Sequence, residues 1–130
     1  MADPSIVREW VEKADEDFHF AEASLRDGSG FYAQLCFHFQ QAAEKYLKAY
    51  IIGKELPFER VHDLVHLLKT CSAHAPEFNE LKEECIFLNT AYIETRYPVH
   101  WPTEYTKDTA EQAYCAAEKI ARVVREGLGL

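Results

Sequence analysis

Three stretches of this chain repeat apolar residues at three- and four-residue steps over about twenty positions each, and none alternates apolar and polar residues as a half-buried strand does. In the first, Val7, Trp10, Val11, Ala14, Phe18, Ala21 and Leu25 fall on one helix face, and Gly28 and Gly30 mark its end. In the second, Leu35, Phe39, Ala42, Ala43, Tyr46 and Tyr50 form the stripe, while Phe31, Phe37, Leu47 and Ile51 widen it. That helix is apolar over more than half its circumference, so it belongs at the centre of a bundle or against a partner. Gly53 ends it, and Pro57 keeps the next stretch in a loop. The last stretch, Ala110, Ala113, Tyr114, Ala117, Ile120, Ala121, Val124 and Leu128, is rich in alanine and permits close approach of a neighbouring helix. Thr106 is placed to cap it, with Asp108 favourable in its first turn.

Between the second and last stretches the period is interrupted. Asp63 suits an N-cap for Leu64, Leu67, Leu68 and Cys71; Ala75-Pro76 then breaks the run before Phe78, Leu81, Cys85, Leu88 and Tyr92 resume it. Pro98 and Pro102 bias Tyr97 and Trp101 away from helical geometry, which predicts an ordered loop over Tyr97 to Glu104. A helix of about twenty residues is roughly 30 Å long, and short connections make sequential helices antiparallel. The expected fold is therefore all-α: an antiparallel up-down four-helix bundle with a broken third helix and an ordered loop before the last helix. With 130 residues, 48% of them hydrophobic, one domain over residues 1–130 is expected.

The apolar runs are too short to cross a membrane, and Met1-Ala2-Asp3-Pro4 lacks the basic and apolar regions of a secretory signal, so a cytoplasmic location is expected. Cys36, Cys71, Cys85 and Cys115 are widely spaced without a C-x-x-C, as buried small hydrophobes are, and no disulfide, metal or cofactor is expected. A net charge of −8 argues against broad nucleic-acid binding through many phosphate contacts, but not against a small local site.

Candidate chemistry concentrates between Arg96 and Tyr105. That loop holds Arg96, Tyr97, His100, Trp101, Tyr105 and two prolines, more hydrogen-bonding and stacking groups than a helix connection requires. By residue type alone the same groups suit a plainer task, since Arg96 can satisfy carbonyls at a helix end and the aromatics can cover the bundle. His62 and His66 are four apart, but His62 precedes the cap and no third ligand is evident, so capping and packing are favoured over a metal. His19, His38 and His74 are isolated. Asp15, Glu16 and Asp17 read as a solvated helix face, and Glu44 with Lys48 as a surface i,i+4 ion pair.

One resemblance joins these pieces. The run Phe37-His38-Phe39-Gln40-Gln41-Ala42-Ala43-Glu44-Lys45-Tyr46-Leu47-Lys48-Ala49 resembles the second helix of HEPN domains, small helical proteins associated with nucleotides and RNA. His62-Asp63-Leu64 looks like the start of that family's third helix, and Arg96-Tyr97-Pro98 followed by His100 lies where many members carry an arginine-histidine motif. The resemblance implies a homodimer in which paired motifs cut RNA without a metal, Arg96 holding the phosphate and His100 moving the 2′-hydroxyl proton. Here only Tyr97, Pro98 and Val99 separate the two, and an aromatic follows the arginine. This Arg-Tyr-Pro form is similar to the branch found beside minimal nucleotidyltransferases, which implies a toxin-antitoxin-like pair. A nucleotide- or RNA-end-binding role is then expected for Arg96, Tyr97, Trp101 and Tyr105, with Lys45 or Lys48 facing a bound phosphate. The eight Phe, seven Tyr and two Trp exceed what one bundle core needs, which independently favours a homodimer.

Overall fold

The computed structural model describes residues 2–94 and 105–130. Five α-helices build it, α1 Pro4–Arg26, α2 Tyr32–Gly53, α3 Leu64–His74, α4 Lys82–Glu94 and α5 Lys107–Leu128, with a 3-10 turn Pro76–Leu81 between α3 and α4. There is no strand among the described residues. The arrangement is a four-helix bundle whose third member is α3 and α4 joined through that turn.

The ends of the helices follow local chemistry. Asp3 caps α1 by accepting from the Ser5 amide at 2.9 Å, and Pro4 fits the first helical position because its missing N–H would have no helical partner. After Arg26 the chain turns through Gly28 and Gly30, both left-handed with φ of 69° and 79°. Asp63 caps α3, accepting from Val65 and His66 amides at 2.9 and 3.3 Å. Ala75-Pro76 breaks the helix, since the residue before a proline is driven to extended backbone, and Ala75 has φ −136° and ψ 100°. Thr106 and Thr109 exchange side-chain-to-backbone bonds of 3.1 and 3.2 Å at the start of α5, a capping box with threonine in place of glutamate.

α2 is the central element and packs against α1, α3, α4 and α5. Phe39, Tyr46, Leu47 and Ile51 are enclosed on it, facing Leu64 and Leu67 of α3, Leu88 of α4 and Ile120 and Val124 of α5. Ala42, Ala43 and Ala49 on α2, with Ala113 and Ala117 on α5, are fully covered, as close helix approach requires. At the far end of α5 the fit is tighter: a Cβ on Gly127 would lie 2.7 Å from Cε1 of the buried Tyr50 ring.

Four expectations need correction. Phe31 is the residue before α2 and is 65% exposed, so it does not extend the stripe. Cys115 is exposed, whereas Cys36, Cys71 and Cys85 are buried. The acidic run on α1 is not simply solvated: Glu16 is exposed, but Asp15 and Asp17 turn inward to partners on α2 and α5. Glu44 and Lys48 pair with each other, yet the pair is buried, because α2 is enclosed on nearly every side over this turn.

Candidate functional site

Glu44 and Lys48 lie on the part of α2 that faces the start of α3, and each side chain is only 7% exposed. Lys48 Nζ donates to Glu44 Oε2 at 2.8 Å and lies 5.8 Å from the centre of the Phe58 ring. His62 Nδ1 reaches the same carboxylate, 3.0 Å from Oε1 and 3.1 Å from Oε2. One turn earlier on α2, the fully buried Gln40 donates to the His62 carbonyl at 3.2 Å and accepts from Gln41 at 2.8 Å. α2 thus holds His62 by both backbone and side chain.

The other side of His62 is fixed by α4. Asn89 donates to Asp63 Oδ1 at 2.8 Å and accepts from the Leu64 amide at 2.8 Å, which locks the first turn of α3. The Asn89 bond is the main cause holding the Asp63 carboxyl below its ordinary pKa, with the His66 and Val65 amides adding to it and partial burial opposing. Tyr92 stacks on the His62 ring at 4.7 Å between centres and 19° between planes. Phe37 lies 6.1 Å beyond Tyr92, followed by His38 and the exposed Phe20, so aromatic rings run from the segment before α3 across to α1. A cleft of about 360 Å³ opens here, lined by His62, Asp63, Asn89, Thr90 and Tyr92.

The carboxylate decides which imidazole nitrogen is basic. Glu44, paired with Lys48, can only accept, so Nδ1 of a neutral His62 carries the hydrogen and the lone pair sits on Nε2. Nε2 has no hydrogen-bond partner among the described residues, and the side chain is 53% exposed. The result is a proton acceptor of fixed tautomer at the edge of a cleft.

The residues expected to act from sequence are distributed unequally. Arg96, Tyr97, His100 and Trp101 lie outside the described residues. Tyr105 is half-buried against the core just before α5. Lys45 points to α1, where it donates to Asp17 Oδ2, and His38 lies 3.3 Å from the other oxygen of that carboxylate. Lys48 turns instead to Glu44, so the two lysines do not converge on one point. His66 pairs with Glu59 at 2.9 Å and not with His62. No group of three or more metal-ligating side chains occurs among the described residues.

Two further features bear on chemistry. Arg125 of α5 holds both oxygens of Asp15 at 2.5 and 2.6 Å, and the buried Tyr46 hydroxyl donates to the same carboxylate, which clasps α1, α2 and α5 together. Burial, then the Asp15 bond, raises the Tyr46 pKa, so its hydroxyl stays protonated. Burial likewise pushes the Cys36, Cys71 and Cys85 thiols up to about 12, so none is a ready nucleophile.

Sequence reasoning assigned His62 to capping and packing, whereas Asp63 alone does the capping and His62 is turned to Glu44. The overlooked signal lies in α2: Gln40, Glu44 and Lys48 recur four apart on a helix with little solvent-facing surface, so they were placed to meet one another or a common partner.

Comparison with known proteins gives consistent relatives. Residues 7–127 match the HEPN domain family. A protein of Methanocaldococcus jannaschii named "Putative toxin MJ1304" is 24% identical over 132 aligned positions, covering 92% of this chain and 86% of that one. Among solved structures, TT1696 from Thermus thermophilus is 36% identical with a TM-score of 0.79, over 94% of this chain and 98% of the other. ST0689, described as an archaeal HEPN homologue, is 27% identical with a TM-score of 0.76, over 94% and 97% of the two chains.

Proposed function

This chain belongs to the HEPN domain family, and from that membership we propose that it is a homodimeric nucleotide- or RNA-end-binding protein acting with a minimal nucleotidyltransferase in a toxin-antitoxin-like pair. The observation that carries the reading is the stacked His62–Tyr92 pair beside an open cleft, Tyr92 lying on α4, from which the chain continues to Arg96 four residues later. Exposed aromatic faces recognise bases without needing a long basic tract, which suits a chain of net charge −8. The similarity to the protein named "Putative toxin MJ1304" supports the paired-system part of the proposal.

In this reading Arg96 contacts the ligand phosphate, and Tyr97, Trp101 and Tyr105 supply stacking and hydrogen bonds. Lys45, paired with a partly exposed aspartate, is the better phosphate contact of the two lysines, because Lys48 is committed to Glu44. Binding of fluorescently labelled short RNA and of ATP, compared between wild type and Arg96→Ala, tests the proposal. A tenfold or greater weakening is expected, and equal binding by the two would overturn it. Light scattering of the same samples reports the dimer.

A second reading is an active metal-independent endoribonuclease with Arg96 on the scissile phosphate and His100 as acid or base; the presence of both residues and the similarity to the protein named "Putative toxin MJ1304" support it, and the short spacing, with only three residues between them, counts against it. Cleavage of RNA in EDTA that His100→Ala abolishes would support it.

A further inference from the structure

The described core contains three buried polar side chains, Gln40, Glu44 and Lys48; Gln40 and Glu44 both contact one half-exposed histidine, and Lys48 pairs with Glu44. Gln40 holds the His62 carbonyl, Glu44 holds its Nδ1, and Lys48 fixes the Glu44 carboxylate from the other side. Burying a carboxylate and an ammonium in a helix centre is costly, and apolar residues of the same size would fill this space at least as well. What the arrangement does achieve is a histidine of one tautomer and one orientation that lines the cleft, its ring stacked on Tyr92. A carboxylate behind a histidine whose far nitrogen has no partner among the described residues is the arrangement that sustains proton transfer to and from a substrate.

We propose that His62 is a proton-transferring catalytic residue for RNA, taking the proton of a ribose 2′-hydroxyl at Nε2, with Glu44 as its positioning residue and Lys48 holding Glu44 in place. The inference rests on the ribonuclease reading above and supplies an acid-base group from residues that reading does not use. In the step, the 2′-oxygen forms a bond to the adjacent phosphorus as His62 takes its proton, and the bond from phosphorus to the 5′-oxygen breaks. The departing 5′-oxygen takes a proton from water, and the hydroxide so formed takes the proton from His62, which returns to its neutral form. The products are a 2′,3′-cyclic phosphate and a 5′-hydroxyl, and no oxidant, metal or cofactor enters the balance. Beyond Tyr92 the row of rings continues through Phe37 and His38 to the exposed Phe20, aromatic surface on which a neighbouring base can lie.

The test uses the whole chain in EDTA with a panel of 5′-labelled single-stranded RNAs and, for each RNA cut, a version carrying 2′-deoxyribose at the cut position. Wild type, His62→Asn, His62→Ala and His100→Ala are compared, with circular dichroism to verify folding; His62 is surface-lying, so its variants fold. The expected result is cleavage by wild type that leaves a cyclic phosphate and fails on the deoxy substrate. In His62→Asn kcat falls about 10²- to 10⁴-fold with KM within about threefold, and added imidazole restores part of the activity of His62→Ala. Wild-type cleavage that His62→Asn retains in full overturns the assignment while leaving the ribonuclease reading intact; if His100→Ala alone abolishes it, the acid-base role belongs to His100. RNA bound but uncut by wild type overturns both the assignment and the ribonuclease reading, and leaves the binding proposal standing.

Discussion

Replacing both members of the buried ion pair at once should leave the protein about as stable as it is now. Glu44 and Lys48 are each 7% exposed and joined at 2.8 Å, so their attraction is set against the loss of hydration of two charges. Such pairs roughly break even against apolar residues of similar volume, and replacement is often neutral or stabilising by about 1–4 kcal/mol. Breaking the pair from one side is different. Glu44→Gln keeps the shape but leaves the Lys48 ammonium enclosed without a carboxylate, which costs about 3–5 kcal/mol. Lys48→Met costs less, about 1–3 kcal/mol, because His62 still reaches both Glu44 oxygens. The double variant Glu44→Leu with Lys48→Met removes both charges and fits the same space, so its unfolding free energy should lie within about 1.5 kcal/mol of wild type. Urea unfolding followed by circular dichroism measures all four proteins. A double variant less stable than Glu44→Gln would refute the reasoning, since it would mean that the pair stabilises the fold outright. The expected pattern would show instead that stability does not require these charges.

Three other outcomes follow from the geometry. Asp15→Ala leaves the enclosed Tyr46 hydroxyl without its acceptor and Arg125 without its carboxylate, so it should cost about 2 kcal/mol, against less than about 0.5 kcal/mol for the exposed neighbour Glu16→Ala, as read by denaturant midpoints. Asp63 has a folded pKa below its unfolded value of about 3.9, so its stabilising effect is complete above about pH 4 and fades as pH falls through the lowered value; the melting temperatures of wild type and Asp63→Asn should therefore converge as the pH is taken down from about 4. Gly127→Ala places a methyl 2.7 Å from the Tyr50 ring, which packs on Phe78 at 4.4 Å and has little room to retreat, so a loss of about 1–3 kcal/mol is expected by thermal melting, whereas Gly28→Ala, with open space around it, meets only the strain of its left-handed backbone.

The bundle was readable in the sequence because each of its decisions is local. The stripe from Val7 to Leu25, the Asp63 and Thr106 caps and the Ala75-Pro76 break depend on residues within a turn or two of one another, and the structure places them accordingly. The site is a matter of pairing across the bundle, and periodicity does not reveal pairing. Glu44 and Lys48 have the spacing of a surface pair; only the packing of α3 and α4 over this part of α2 makes them a buried one. Asp15, Glu16 and Asp17 look alike as a run, yet helical rotation sends the first toward Arg125 and Tyr46, the third toward Lys45 and His38, and the middle one to solvent. The motif from Arg96 to His100 was visible by resemblance, and it lies outside the described residues.

A physical tension in α2 links these threads. This helix is the most enclosed in the protein, and along most of its length it solves burial with Leu, Phe, Tyr, Ile and Ala. At Gln40, Glu44 and Lys48 it does not, although an apolar residue at each position would satisfy the same period and volume. Buried polar groups that neither cap a helix nor join two helices through their backbones call for another reason. Here Gln40 and Glu44 share a contact on neither α2 nor α3, but in the short segment between them, with its ring at the surface, and Lys48 reaches it only through Glu44. Had the cluster served only to anchor that segment, one buried hydrogen bond to the backbone would have sufficed, and Gln40 already provides it. The additional carboxylate on Nδ1, and the lysine that holds the carboxylate, act on the imidazole itself. They fix its tautomer and direction, which matter to a substrate far more than to the stability of the bundle.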